Sequence, residues 1–326
     1  MMRKTCLASV LAALLYGCGS GDDAAQRSVD SSAPDGSSLA KALTLSLVAE
    51  KKLTKLLPTK EVDHYEASGI VASNGVLYVA SDNLTRIAAI DTSLEKGKLG
   101  PGEAIDSQYE AITASDDGRF FATIEVISEA TGPAEVAELD AQTAFVARTE
   151  TDVSFDHSNK GFEGAAWLRV GGKEYLLALC ENNNCKDDDS PVGEGRAQLL
   201  AWNDGSWATQ QRLKLPEAAG FLNYSDLALV SNGDGTYQAA VVSRKSSALW
   251  LGTLSTSPWA FTGPSTLYTF PPGADGTVQY CSVEGITFLG PNVLAAVSDN
   301  SDGGEPCAEK QESIHIFRVP AVNAVY

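Results

Sequence analysis

The sequence predicts an all-β fold, a β-propeller, on three observations. A short motif recurs at Ser68-Gly69-Ile70, Glu110-Ala111-Ile112, Glu163-Gly164-Ala165, Ser225-Asp226-Leu227 and Glu284-Gly285-Ile286. The copies stand 42, 53, 62 and 59 residues apart, a spacing that suits blades of several short strands stacked around a ring. Each copy opens a short apolar run, then a turn rich in Gly, Asn and Asp, then a second apolar run, which is the signature of a hairpin. The 67 residues running from Glu284 to the C-terminus and from Leu43 to Ser68 accommodate one blade. Five blades are therefore expected, with six as the alternative, closed by an N-terminal strand near Leu45 to Leu53 that forms the outer strand of the last blade. Such closure removes the exposed edges that invite aggregation.

Residues 1–17 carry Arg3 and Lys4 ahead of the apolar run from Cys6 to Tyr16. That run is too short to span a bilayer and reads as an export signal. Leu15-Tyr16-Gly17-Cys18 resembles a bacterial lipobox, which would make Cys18 the acylated first residue of the mature chain. A multiply acylated Cys anchors stably, so the expected location is the face of a bacterial membrane, the outer membrane or cell surface, held by lipid alone. From Gly19 to Ala42 the chain is mostly Gly, Ser, Asp, Ala and Pro, unable to bury enough apolar surface to order itself. Residues 18–42 are therefore read as a lipidated tether with a reach of roughly 25 to 30 Å.

The folded domain is expected over residues 43–326. Leu43, Leu45 and Leu47 alternate with Thr44 and Ser46, the period of a half-buried strand, and Leu53 to Leu57 reads as a further extended segment. Within the repeats, Leu77 to Ala80, Phe120 to Ile124, Tyr175 to Leu179, Ala239 to Val242 and Val293 to Val297 are the second strands. Ile87 to Ile90, Glu135 to Leu139, Gln198 to Trp202, Ala248 to Leu251 and Ile314 to Phe317 are the third, and a fourth is implied.

The chain is 44% apolar and 20% charged, with a formal net charge of −18. This is the composition of a globular body that repels phosphate backbones, so nucleic acid is not expected as a partner; a monomer that meets a ligand or an envelope protein is expected instead.

In an antiparallel hairpin the first strand begins and the second ends on the same face. One mouth should therefore collect Ser68, Glu110, Glu163, Ser225 and Glu284 from the first strands. It should also collect Asp82, Glu125, Glu181, Arg244 and Asp299 from the ends of the second. Seven carboxylates against one Arg raise one another's pKa unless a cation compensates them. Calcium, which takes six to eight oxygen ligands, is the expected ion, held by Glu110, Glu163, Glu284, Asp82, Glu125, Glu181 and Asp299. Ser68, Ser225 and Arg244 are expected to bind ligand beside it. Zinc is disfavoured, since His64, His157 and His315 show no ligand spacing. The competing expectation is that the Asp-Asn and Glu-Asn pairs are turn chemistry and that the recurring Ser or Glu ties one blade to the next.

Four cysteines remain after Cys6 and Cys18, and export makes disulfides natural. Local pairing, Cys180 with Cys185 and Cys281 with Cys307, is expected among the three possibilities. The run Lys186-Asp187-Asp188-Asp189 reads as a solvated loop. Asp156-His157 beside Glu163 is a local pair that could serve acid–base catalysis, though such a pair is more often a loop feature. No Gly-x-Ser-x-Gly elbow, phosphate loop or His-Glu-x-x-His stands in the sequence.

The stretch Asn159-Lys160-Gly161-Phe162-Glu163-Gly164-Ala165-Ala166-Trp167, with Glu284-Gly285-Ile286 and Asp299, resembles the SdiA-regulated propellers and the wider group of phytase-like esterase propellers, over most of residues 60–318. The resemblance implies calcium ions at the mouth, with Glu110, Glu163 and Glu284 as ligands. Gluconolactonase-type propellers, with a single central metal, are a second likeness. Two functions are thus expected in competition: a lipid-anchored binding module, and a metal-dependent hydrolase of phosphoesters, esters or lactones.

Overall fold

The computed structural model describes residues 42–57, 61–102, 108–125, 132–155, 161–181, 195–300 and 307–320. The signal, Cys18 and the tether, together with Cys185, the 186–189 acidic run and Asp156-His157, lie outside these residues.

The chain enters as β1 (Leu43–Thr44) and β2 (Ser46–Lys52). Among the described residues, five antiparallel meanders follow. The first is β3 (Ala67–Ser73), β4 (Val76–Ser81), β5 (Leu84–Asp91) and β6 (Gly97–Gly102); the second is β7 (Tyr109–Ala114), β8 (Phe120–Ile124), β9 (Gly132–Leu139) and β10 (Phe145–Phe155). The third is β11 (Phe162–Val170), β12 (Lys173–Cys180), β13 (Arg196–Asn203) and β14 (Ser206–Lys214); the fourth is β15 (Asp226–Ser231), β16 (Thr236–Ser243), β17 (Ala248–Thr256) and β18 (Trp259–Thr269). The last is β19 (Val283–Gly290), β20 (Val293–Ser298) and β21 (Ser313–Arg318), to which β2 adds as the fourth strand. The pairing of Ser46 with Arg318 through Lys52 with Ser313 ties the two ends of the domain together, as the N-terminal closure requires.

The first strands of the meanders touch in cyclic order: β3 against β7, β7 against β11, β11 against β15, β15 against β19, and β19 back against β3. Five apolar cores fill the spaces between consecutive sheets. Leu77, Val79 and Ile90 meet Val297 and Ile314 across the closing seam. Leu177, Leu179 and Leu199 meet Val241 and Trp250 between the third and fourth meanders. These are stacked twisted sheets sharing one axis, which is the propeller arrangement.

Two local expectations are corrected. The segment after β2 is not extended: Leu53–Leu56 is a helical turn that buries Leu53 and Leu56. Leu53, Leu56 and Leu57 are all buried, a three- and four-residue spacing that matches one helix face rather than alternate strand positions. Nor is the stretch from Leu43 to Leu47 one strand. β1 pairs in parallel with β18, Leu43 against Tyr268, whereas β2 belongs to the last sheet. Leu45, between them, is buried where the chain crosses from one sheet to the next, and Leu47 is 37% exposed. The second and third meanders are also joined at their outer strands, by a parallel bridge between Thr151 and Trp207 and by hydrogen bonds from Thr209 to the Asp152 carboxylate.

Candidate functional site: an acidic axial mouth

In four of the five copies the motif lies inside the innermost strand rather than ahead of it and its first residue is a β-bulge, whereas Ser225 of the fourth stands just ahead of β15, whose ladder is regular. Ala67 pairs with Ser81 but Gly69 with Ala80, leaving Ser68 extra. The same shift isolates Glu110, Glu163 and Glu284. A bulge turns one side chain out of the alternation without disturbing the rest of the ladder, and here it aims the glutamates at the axis. The following glycine has a separate cause. A Cβ on Gly69 would lie 2.8 Å from Ala111 Cα, and one on Gly164 2.7 Å from Leu227 N, both backbone atoms of the next innermost strand. The motif thus reads residue by residue as a bulged group for the axis, a glycine for close strand approach, and an aliphatic group for the core.

The second set sits one residue beyond the ends of β4, β8, β12, β16 and β20. Backbone bonds clamp it: Asp82 N donates to Glu66 O, Glu125 N to Gln108 O, and Asp299 N to Ser282 O. The result is a cavity of about 120 Å³ lined by Asp82, Gln108, Glu110, Glu125, Glu163, Glu181, Arg244, Glu284 and Asp299. All seven carboxylates and the arginine expected at one mouth are brought together.

Ser68 and Ser225 are not among the lining residues. Both are buried; the Ser68 hydroxyl donates to Tyr109 O of the next innermost strand, and Ser225 Oγ accepts from Arg244 N. A hydroxyl is too short to reach the axis from either position, so the two serines tie backbone to backbone while the glutamates reach inward. Asp226, in the glycine position of the fourth copy, is also a tie. Its buried carboxylate accepts N–H bonds from Leu227 and from Ile286 of the neighbouring strand. Gln108 and Glu66 were not expected at the site. Their signal is positional: each stands two residues ahead of the bulge, where the backbone accepts from the second set.

Burial is the largest influence on these carboxyls. It lifts Asp82 to about 8, helped by the charges of Glu66 and Asp299. It lifts Glu110 well above the usual range, with Glu163 and Glu125 adding to it, and does the same to Glu163 beside Glu181 and Glu284. Glu284 rises to about 7, burial outweighing the ion pair with Arg244. Asp299 rises to about 6, restrained by the Asn300 N–H and by Arg244. Burial works against the Arg244 charge, but Glu284, Glu163 and Asp299 hold it protonated, above its ordinary value. At the rim His64 Nε2 lies 2.5 Å from Glu66 Oε1, and that hydrogen bond raises the imidazole.

The donor set suits a hard cation. It is oxygen-rich, with neither His nor Cys in the lining, and Asp82 Oδ1 and Asp299 Oδ1 are buried with no hydrogen-bond partner. Among the described residues, no three His, Cys, Asp or Glu side chains are already gathered closely enough to be metal ligands. Cys281 and Cys307 form the expected disulfide, and Cys180 is also disulfide-bonded. The bond between Cys281 and Cys307 ties the segment ahead of β19 to the β20–β21 connection, which also carries Asp299.

No family model and no curated protein matches this chain. Its likenesses are to solved structures. It is similar to the glutaminyl cyclase of Myxococcus xanthus at 10% identity and a TM-score of 0.50, over 86% of this chain and 98% of that one. It is also similar to a streptogramin B lyase, at 12% identity, TM-score 0.42, 83% and 98% coverage. A third is the PQQ-bound aldose sugar dehydrogenase of Streptomyces coelicolor, at 11% identity, TM-score 0.41, 83% and 98%. At 10% identity the likeness to the glutaminyl cyclase is one of architecture, and the cyclic contact of the innermost strands makes this chain a β-propeller.

Proposed function

We propose that this protein is a cell-envelope lipoprotein whose propeller binds a cation in the axial mouth, with calcium the ion best suited to it. Cys18 is the membrane anchor in this reading, and the outer membrane or cell surface is the site of action of a monomer that meets a ligand or an envelope protein there. Glu110 carries the argument. It is 6% exposed, lines the cavity, and has no hydrogen-bond or ion-pair partner among the described residues. An isolated buried carboxylate is costly unless it is protonated or paired. A cation entering the mouth would release protons from Glu110 and its neighbours and replace them. Calcium accepts irregular oxygen coordination completed by water, and the side chains of this lining, Arg244 apart, offer oxygen ligands.

A second reading, a metal-dependent hydrolase of phosphoesters, esters or lactones, is favoured by Glu284 near 7 and Asp299 near 6. These two carboxyls exchange protons close to neutrality, as acid–base catalysts do.

Calcium titration calorimetry on the mature chain, with thermal melts in chelator, tests the first reading. Saturation at about a hundred times Kd should add about 2.7 kcal/mol of stability, and Glu110→Gln with Glu163→Gln should abolish the heat. Absence of both heat and melting shift defeats the proposal. Turnover of nitrophenyl phosphate, nitrophenyl acetate and a simple lactone, lost in Glu284→Gln, would decide for the hydrolase.

A further inference from the structure

Away from the axis, on the side of the fourth meander that faces the last one, lies a cavity of about 500 Å³, several times the volume of the axial mouth. The apolar packing between these sheets includes Leu251, Tyr268 and Phe317. Outward from it the surface turns polar without turning charged. Gln238, Thr253, Ser265, Thr266 and Asn292 line the cavity, and no Asp, Glu, Lys, Arg or His does. In a chain of net charge −18 this lining is a neutral patch, without any charged side chain.

Two departures from the regular blade build the groove. The ladder between β17 and β18 pairs Leu251 with Thr266 and then Thr253 with Thr262, so three residues, Gly263-Pro264-Ser265, bulge out of the outer strand opposite Gly252 alone. Gly263 has φ +72°, a conformation glycine adopts freely, and Pro264 offers no N–H to the ladder. The bulge forms one wall. Gly252 lines the cavity with its backbone, and the Cβ it lacks would point to the opposite face of β17, onto the Trp250 ring at 2.2 Å. Gln238 and Thr253 are direct cross-strand partners, so their side chains lie together, and Asn292 approaches from the last meander. The side chains of Gln238, Thr253, Ser265 and Asn292 make no hydrogen bond among the described residues.

From this we infer a second binding site, for a neutral saccharide of two or three sugar units. Each sugar hydroxyl both donates and accepts, and the side chains that match this in a fixed plane are the amides of Gln and Asn, with Ser and Thr hydroxyls as adaptable partners. A neutral ligand leaves no charge to be compensated, which is what an uncharged lining selects. The volume lies within the usual range of small-molecule sites, about 300–1,000 Å³. A peptide is less well matched, since peptide recognition draws on a free sheet edge or on apolar and charged pockets. The site is independent of the axial mouth.

The test is titration calorimetry of the mature chain with cellotriose, maltotriose and chitotriose. At least one should bind saturably, with Kd between about 10 μM and 1 mM. Gln238→Ala with Asn292→Ala should weaken it by at least about tenfold, with an unchanged melting temperature. Ser265→Trp, on the exposed bulge, should block it sterically and stands in should the double variant misfold. Chelator and Glu163→Gln should leave saccharide binding unaltered. The inference is overturned if none of the three saccharides binds, if binding survives both variants, or if a neutral capped tripeptide binds the groove and the saccharides do not.

Discussion

Glu284 offers a quantitative check on the electrostatics of the mouth. Its carboxyl is nearly fully buried, and burial raises it from 4.5 to about 7 in spite of Arg244. The folded state therefore keeps a proton that the unfolded chain has already released. Stability from this group is fully present below pH 4.5 and is lost as pH rises through 7. At 1.36 kcal/mol per pKa unit, the shift corresponds to about 3 kcal/mol. Glu284→Gln keeps the shape and cannot ionise. The ion pair with Arg244 forms only as Glu284 ionises, and its effect is already contained in the value of about 7. The stability of the variant relative to the parent should therefore rise by about 3 kcal/mol between pH 4.5 and 8. Removing this charge also relaxes Glu163 and Asp82, which enlarges the trend in the same direction. Urea unfolding in chelator at pH 4.5, 6, 7 and 8 measures it. A difference between the two proteins that stays flat across this range would refute the view that Glu284 is held protonated by burial.

Three other outcomes follow from the same geometry. Cation affinity should increase from pH 5 to 8, because the ion displaces protons from Asp82, Glu110, Glu163 and Glu284, all raised; calorimetry in buffers of different ionisation enthalpy should show at least one proton released per ion. Gly164→Ala should cost about 3 kcal/mol in urea unfolding, since its Cβ would press on the backbone of β15, whereas Gly290→Ala, with open space around it, should cost under about 0.5 kcal/mol. Replacing Cys281 and Cys307 by Ser removes a crosslink of 26 residues' separation and should lower stability by about 3.5 kcal/mol on the chain-entropy estimate, with weaker cation binding because Asp299 sits in that loop.

The sequence by itself determined the repeat, the hairpins within it and the closure by the N-terminal strand. Each rests on local periodicity and turn chemistry that neighbouring residues set between them. It also determined that seven carboxylates and Arg244 share one mouth, because an antiparallel hairpin places the start of one strand beside the end of the next whatever surrounds it. The disulfide between Cys281 and Cys307 was legible for a similar reason, each cysteine lying near a motif position of the same repeat. Only the tertiary structure decided which motif residues reach the axis. Ser68 and Glu110 occupy equivalent bulges, yet one bonds the backbone of the next strand and the other lines the cavity, and that difference depends on a strand some forty residues away. The glycine after the bulge, the protonation of Asp82 and Glu110, and the division of Leu43 to Leu47 between two sheets have the same origin. They are set by distances and burial across the ring, between segments that no local pattern relates to one another.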